Sequence, residues 1–314
     1  MTGRPVNPDL QAALRDYLAR RRALGHALVE EERLARRFLE WLWGAGHTGA
    51  GFTVADAVRW ARGEESTFAR SYQGQRLGAV RGLARYCRAI GMDVDVPPGN
   101  ALPTGRQRRR PHIYTQDELD ALMACCPHVF REPLVGATMT HIIGLLAVTG
   151  MRIGEALRLR VQDVDTNAGT VLIRANKHGP DRLVPLHPTT LAALADYRTS
   201  PDRRAAGPRP DGPLFVTVRG TGYQRNSVES HFGRVRDAAG LTWQGPNPSL
   251  HDLRHTFTTR AMIAAYTSHG TDPAVTLGLL ATWLGHADPA HTYWYVEAVP
   301  ELLALAASRA LTTK

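Results

Sequence analysis

Apolar positions recur at helical spacing through the first ninety residues. Between Asp9 and Leu24, the residues Leu10, Leu14, Tyr17 and Leu18 share one face, and Gly25 ends the run. Leu34, Phe38, Leu39 and Leu42 repeat the pattern between Ala27 and Trp43. Thr53 has the character of an N-cap for a short helix reaching Ala61, and a longer helix is predicted from Ser66 to Ile90. These elements make a small helical bundle whose other faces carry Arg70, Arg76, Arg81, Arg85 and Arg88. Such a basic face is either solvated or turned toward a polyanion, and the pattern alone does not choose between the two.

The periodicity then breaks. Val96 to Pro111 is rich in proline and glycine and includes Arg106 and Arg108 to Arg110, a composition that resists regular structure. The expected organisation is a helical domain over 1–96, a basic linker over 97–111 and a second domain over 112–314. Thr115 to Glu118 is a capping box that opens a helix to about Cys126. Further helices are predicted at 137–149, 153–159, 188–199, 225–239, 250–266, 274–285, 289–296 and 299–312. Two β-branched runs, Thr170 to Arg174 and Arg182 to Leu186, flank Asn176 to Pro180 as a hairpin. The fold class is therefore mainly α with a small β-sheet.

Composition narrows the function classes. The 314 residues are 43% hydrophobic and 21% charged, which suits folded domains rather than disorder. No apolar stretch reaches the length of a membrane span, and the N-terminus has no secretory pattern, so a cytoplasmic protein with no membrane partner is expected. Cys87, Cys125 and Cys126 form neither a disulfide framework nor a zinc motif. Glycine-rich nucleotide loops and HExxH are also absent, so neither cofactor nor metal is expected. Thirty-eight Lys+Arg against 29 Asp+Glu give a net charge of +9, which favours a phosphate-rich partner.

Four segments carry candidate chemistry. Thr149 to Glu155 presents Arg152 at a helix start after a glycine break. Lys177 lies in the hairpin turn ahead of Arg182-Leu-Val-Pro-Leu186. His251 to His255 places His251 and Arg254 three apart, on one helical face. Leu284-Gly-His286 is followed nine residues later by Tyr295. Each has an ordinary explanation alone: Arg152 pairing with Glu155, a solvated lysine, a structural histidine, an aromatic cluster in a core. Their order along the chain is what makes them specific.

Taken together, TGMRIGE, the hairpin lysine before RLVPL, HDLRHT, LGH and the downstream tyrosine resemble the tyrosine recombinases, the group of phage integrases and Xer-type enzymes. The resemblance runs from about 112 to 300, and the N-terminal bundle looks like that family's core-binding domain, ahead of its catalytic DNA breaking-rejoining domain. It implies that Arg152 and Arg254 clamp the phosphate, Lys177 is the general acid, His251 and His286 are active-site histidines, and Tyr295 is the nucleophile. Tyr293 is the rival nucleophile. It also implies double-stranded DNA as partner, a 3′-phosphotyrosine intermediate, a homotetramer on synapsed sites and a nucleoid-associated location. DNA integration, transposition and resolution all stay open, as does a need for accessory proteins. The alternatives are a type IB topoisomerase-like enzyme and a non-catalytic DNA-binding relative.

The residue types suit the chemistry. Metal-free cleavage of a phosphodiester needs cations against the non-bridging oxygens, and arginine forks supply charge-assisted bonds in pairs. A phenol with a pKa near 10 needs basic or cationic neighbours to lose its proton, which His251 or His286 could take. The segment between Arg254 and His286 is longer than the family pattern. The apolar tail, Val299 to Leu311, packs on its own domain or on a neighbouring protomer.

Overall fold

A computed structural model of the chain describes residues 8–63, 68–102, 110–174, 181–207, 209–241, 243, 245, 247–268, 271–285 and 302–305. The chain divides into two compact units, Met1–Arg109 and Arg110–Lys314. The described residues are mostly helical with a small sheet, in accord with the predicted fold class.

The first unit is built from α1 (Pro8–Ala23), α2 (Val29–Gly44), α3 (Val54–Arg62) and α4 (Arg70–Ala89). Thr53 caps α3 through a reciprocal box with Asp56. Phe38 anchors the core, meeting Phe52 and Trp60 edge-on at 4.9 and 5.3 Å. Two of the five helix arginines are held by groups of the unit itself. Arg76 is buried, with its guanidinium 3.9 Å from the Trp60 ring centroid and 4.3 Å from that of Phe68. Arg81 donates to the carbonyls of Pro97 and Pro98. That tie, and Leu102 in the core, pack residues 97–102 onto this unit, although their composition suggested a tether. Proline supplies no N–H, and Arg81 serves the Pro97 carbonyl while adding a second donor to that of Pro98, which also accepts from Ala101 N–H. Of the rest of the expected linker, 103–109 lie outside the described residues.

The second unit begins with α5 (Gln116–Val129), capped by the predicted Thr115–Glu118 box, and the apolar α6 (Pro133–Thr149). Next, α7 is a single turn, Ile153–Ala156, and not the helix to Leu159 that the pattern suggested. The chain leaves helical pairing there because the Leu159 carbonyl accepts from Leu214 N–H, and Val161 N–H donates to Gly212. The hairpin of β2 (Thr170–Ile173) and β3 (Arg182–Pro185) gains an edge strand, β1 (Val164–Asp165), in an antiparallel sheet of order β1-β2-β3. There follow α8 (Pro188–Thr199), a short α9 (Pro201–Ala205) not foreseen from the pattern, α10 (Arg225–Ala238), α11 (Leu250–Thr267) and α12 (Pro273–Leu284).

The core of this unit gathers around α6, whose buried face contributes Met139, Ile142, Ile143, Leu145 and Leu146. A second cluster joins Met262 of α11 to Leu277 and Leu280 of α12, and Leu302 of the tail is fully buried in it. No described helix is long and apolar enough to cross a membrane. The predicted helix over 289–296 and most of the tail lie outside the described residues.

Candidate active site

Two helix ends and one helix start meet at Arg254. The C-terminal carbonyls of α6 and α12 have no partner within their own helices, and each helix ends at a left-handed glycine: Gly150, with φ 62°, and Gly285, with φ 64°. Arg254 is buried on α11 and donates Nη1–H to the Gly150 carbonyl and Nη2–H to the Leu284 carbonyl, each at 2.9 Å. A cation between two helix C-termini is favoured by both helix dipoles. Trp283 makes the clasp reciprocal, since its indole N–H donates to the Thr149 carbonyl at 2.8 Å.

The start of α11 is set by a capping box absent from the sequence reading. Asp252 accepts from Ser249 N–H at 2.7 Å and from the Ser249 hydroxyl at 2.8 Å. This fixes the first turn, so that His251 stands at the helix entrance one turn before Arg254. The His251 ring is at the surface, yet its pKa lies below the ordinary imidazole value. Desolvation is the main cause, the charges of Arg254, Arg152 and Arg225 add to it, and Asp252 opposes it. His251 is therefore neutral at pH 7. Its neighbour His255, buried and edge-on to it with ring centroids 4.8 Å apart, has its pKa pushed down to about 4 by burial and then by His251.

Arg152 caps α7 and does make the ordinary pairing with Glu155: its backbone N–H and Nη1–H donate to that carboxylate at 2.9 and 3.0 Å. Its side chain is nevertheless 45% exposed, and its charge reaches His251. Glu155 is almost fully buried. Burial raises its pKa, but bonds from Arg182 and from the Arg152 backbone outweigh that and leave it below the usual carboxylate value. Arg182, the first residue of β3, donates Nη2–H to Glu155 Oε2 at 2.7 Å and Nη1–H to Oε1 at 3.3 Å. Its Nε–H reaches the Trp283 carbonyl at 2.8 Å.

Of the six predicted site residues, Arg152, His251 and Arg254 lie on described segments that converge here. Lys177, His286 and Tyr295, with the rival Tyr293, lie outside the described residues. Sequence reasoning named Glu155 only as an ordinary partner of Arg152 and missed Arg182 as a partner of the site, although both stand inside motifs it quoted. It also missed His255 and Asp252. The available signal was Ser249-x-x-Asp252, a cap-like spacing that brackets the first histidine. No cluster of His, Cys, Asp and Glu with metal-holding geometry occurs among the described residues.

Residues 113–301 match the family described as the phage integrase family. The chain belongs to the phage integrase family. A tyrosine recombinase XerC of Mesorhizobium japonicum is 30% identical over 306 residues, covering 93% of this chain and 92% of that protein. The fold is shared with the Tn1549 transposon integrase in complex with transposon right end DNA, at a TM-score of 0.69 and 16% identity over 95% of this chain and 99% of that one. A lambda integrase tetramer bound to a Holliday junction aligns at a TM-score of 0.62 and 18% identity, over 89% of this chain and 78% of that chain. As a tyrosine recombinase, this member of the family carries its TGMRIGE and HDLRHT segments at the clasp formed by the two glycine-ended helices.

Proposed function

We propose that this protein is a site-specific recombinase that cuts and rejoins duplex DNA through a 3′-phosphotyrosine on Tyr295. The observation that carries the reading is the convergence of Arg152, Arg254 and His251 at the clasp, where desolvation and the neighbouring arginines lower the histidine pKa. Arg152 and Arg254 hold the non-bridging oxygens of the scissile phosphate and offset the charge that builds up as the phosphorus becomes five-coordinate. The Tyr295 phenol oxygen attacks phosphorus, and the bond to the 5′ oxygen breaks. His251, unprotonated at pH 7, takes the phenol proton. Lys177 gives a proton to the departing 5′ oxygen, and His286 donates to the phosphate from the segment after α12. The phosphotyrosine keeps the energy of the broken bond, so a 5′ hydroxyl can rejoin it without ATP.

Strand exchange requires several copies on paired sites. The tetramer seen for lambda integrase on a Holliday junction supports four protomers here. The family supports duplex DNA as partner and a location with the chromosome in the cytoplasm.

The test uses a duplex recovered from a randomised pool by binding to wild type, nicked near its centre to trap cleavage. Wild type, Tyr295→Phe and Tyr293→Phe are incubated with it in EDTA, and covalent adducts are read on denaturing gels. An adduct lost only with Tyr295→Phe is expected. Loss only with Tyr293→Phe moves the nucleophile. Tight binding without an adduct from wild type supports a binding-only relative, and relaxation of supercoils without recombinant product supports a topoisomerase.

A further inference from the structure

The reaction proposed above gives Arg182 no part, yet this residue joins the segment that carries Arg152 to the end of α12. Its side chain is only 13% exposed. Through Nη1 and Nη2 it straddles the Glu155 carboxylate that also holds Arg152. Through Nε it holds the Trp283 carbonyl at the end of α12. Its guanidinium also lies directly against Gly285, where a Cβ would stand 2.8 Å from Nη1 and 3.1 Å from Cζ. Gly285 immediately precedes His286, and Arg182 itself follows Lys177 by five residues.

Charge explains why an arginine is needed there. Glu155 is 8% exposed, and a buried carboxylate with a single partner would draw that partner fully onto itself. Arg182 supplies the buried share of the neutralisation in a fork that matches both carboxylate oxygens. Arg152 then gives the carboxylate one side-chain N–H and stays 45% exposed. A lysine in place of Arg182 has one compact ammonium, which cannot span Glu155 and the Trp283 carbonyl as the planar fork does.

We infer that Arg182 is a positioning residue of the recombination reaction: by bridging Glu155 and the Trp283–Gly285 backbone from the strand that leaves the hairpin, it sets where Arg152 stands relative to the end of α12. The inference rests on the reading that Arg152 acts on the phosphate. It has a distinctive consequence. Loss of Arg182 harms the reaction partly because the uncompensated Glu155 captures Arg152, so neutralising Glu155 in the same chain restores part of the rate.

The experiment compares wild type, Arg182→Lys, Arg182→Met and the Arg182→Met/Glu155→Gln double variant on the nicked duplex described above. Duplex Kd and the rate of covalent adduct formation at saturating protein are measured separately. Displacing catalytic groups by about 1 Å costs on the order of 10²-fold, so adduct formation by Arg182→Met is expected to fall by about that factor, while Kd changes by less than about threefold. Arg182→Lys falls between it and wild type, and the double variant is expected to run several-fold faster than Arg182→Met. Adduct rates for Arg182→Met within threefold of wild type overturn the inference and leave the proposed function standing. So does a double variant no faster than Arg182→Met. Absence of any adduct from wild type removes the function reading and this inference with it. Should Arg182→Met fail to unfold cooperatively, Arg182→Lys and Arg182→Lys/Glu155→Gln carry the same comparison, with the same outcomes deciding.

Discussion

The two arginines proposed to clamp the phosphate differ in what else they hold, and that difference can be measured. Arg254 bonds the Gly150 and Leu284 carbonyls from a side chain that is 2% exposed. Replacing it with methionine keeps much of the volume but leaves two buried acceptors without these donors. Each such acceptor costs about 1–3 kcal/mol, so Arg254→Met is expected to lose about 3 kcal/mol. For a unit of this size, that is a fall in Tm of about 6–12 °C. Arg152 makes one ion pair, to Glu155, from a side chain 45% exposed. That guanidinium is half in solvent and Glu155 keeps Arg182 as its buried partner, so the loss is less than about 1 kcal/mol and Arg152→Met is expected to melt within a few degrees of wild type. In cleavage the two variants should look alike, each slower by about 10²–10³-fold, as expected when one preorganised donor is lost. Calorimetry of the full chain, which resolves the transition of each unit, supplies the stabilities, and adduct formation supplies the rates. An Arg254→Met protein that melts with wild type would refute the clasp. Equal stability losses from both substitutions would refute the distinction between them.

Gly150→Ala places a Cβ 2.5 Å from Phe257 Cδ1 and 3.1 Å from Leu284 Cδ2 at a φ of 62°. Left-handed strain of about 1–2 kcal/mol and overpacking of about 1–3 kcal/mol predict a loss of about 2–5 kcal/mol by urea unfolding. Gly278→Ala on α12, where nothing lies within 4 Å of the new Cβ, is expected to gain up to about 1 kcal/mol in the same assay. His255 is held near a pKa of about 4 in the fold against 6.5 when unfolded, so unfolded chains bind the extra proton between those values. Its contribution is complete above pH 6.5 and is lost as pH falls from 6.5 toward 4, about 3 kcal/mol in all. Urea midpoints of wild type and His255→Gln, compared from pH 4.5 to 7.5, should therefore differ by a constant amount above pH 6.5 and converge below it.

Local pattern accounts for most of the helices and for the hairpin, because periodicity, capping boxes and glycine stops are written in neighbouring residues. Thr53 and Thr115 cap as their spacing foretold. The departures occur where distant backbone intervenes. The turn after Ala156 stops because residues 212–214 supply other partners, and β1 exists only because β2 gives it an edge to pair with. Arg76 and Arg81 read as surface charge in a list of basic residues. Aromatic rings brought by folding buried Arg76, and the carbonyls of Pro97 and Pro98 tied down a half-buried Arg81.

The candidate site divides along the same line. Residue order alone marked out Arg152, His251 and Arg254, since the chemistry of phosphate clamping and proton transfer restricts which side chains can serve. That Arg254 closes two helix ends, that Glu155 is shared between Arg152 and Arg182, and that His251 is neutral beside three cations were decided only by tertiary structure. The reason is physical. Residue type fixes which donors, acceptors and charges are available, while the energy of a hydrogen bond or a pKa shift depends on distances and burial between groups far apart along the chain.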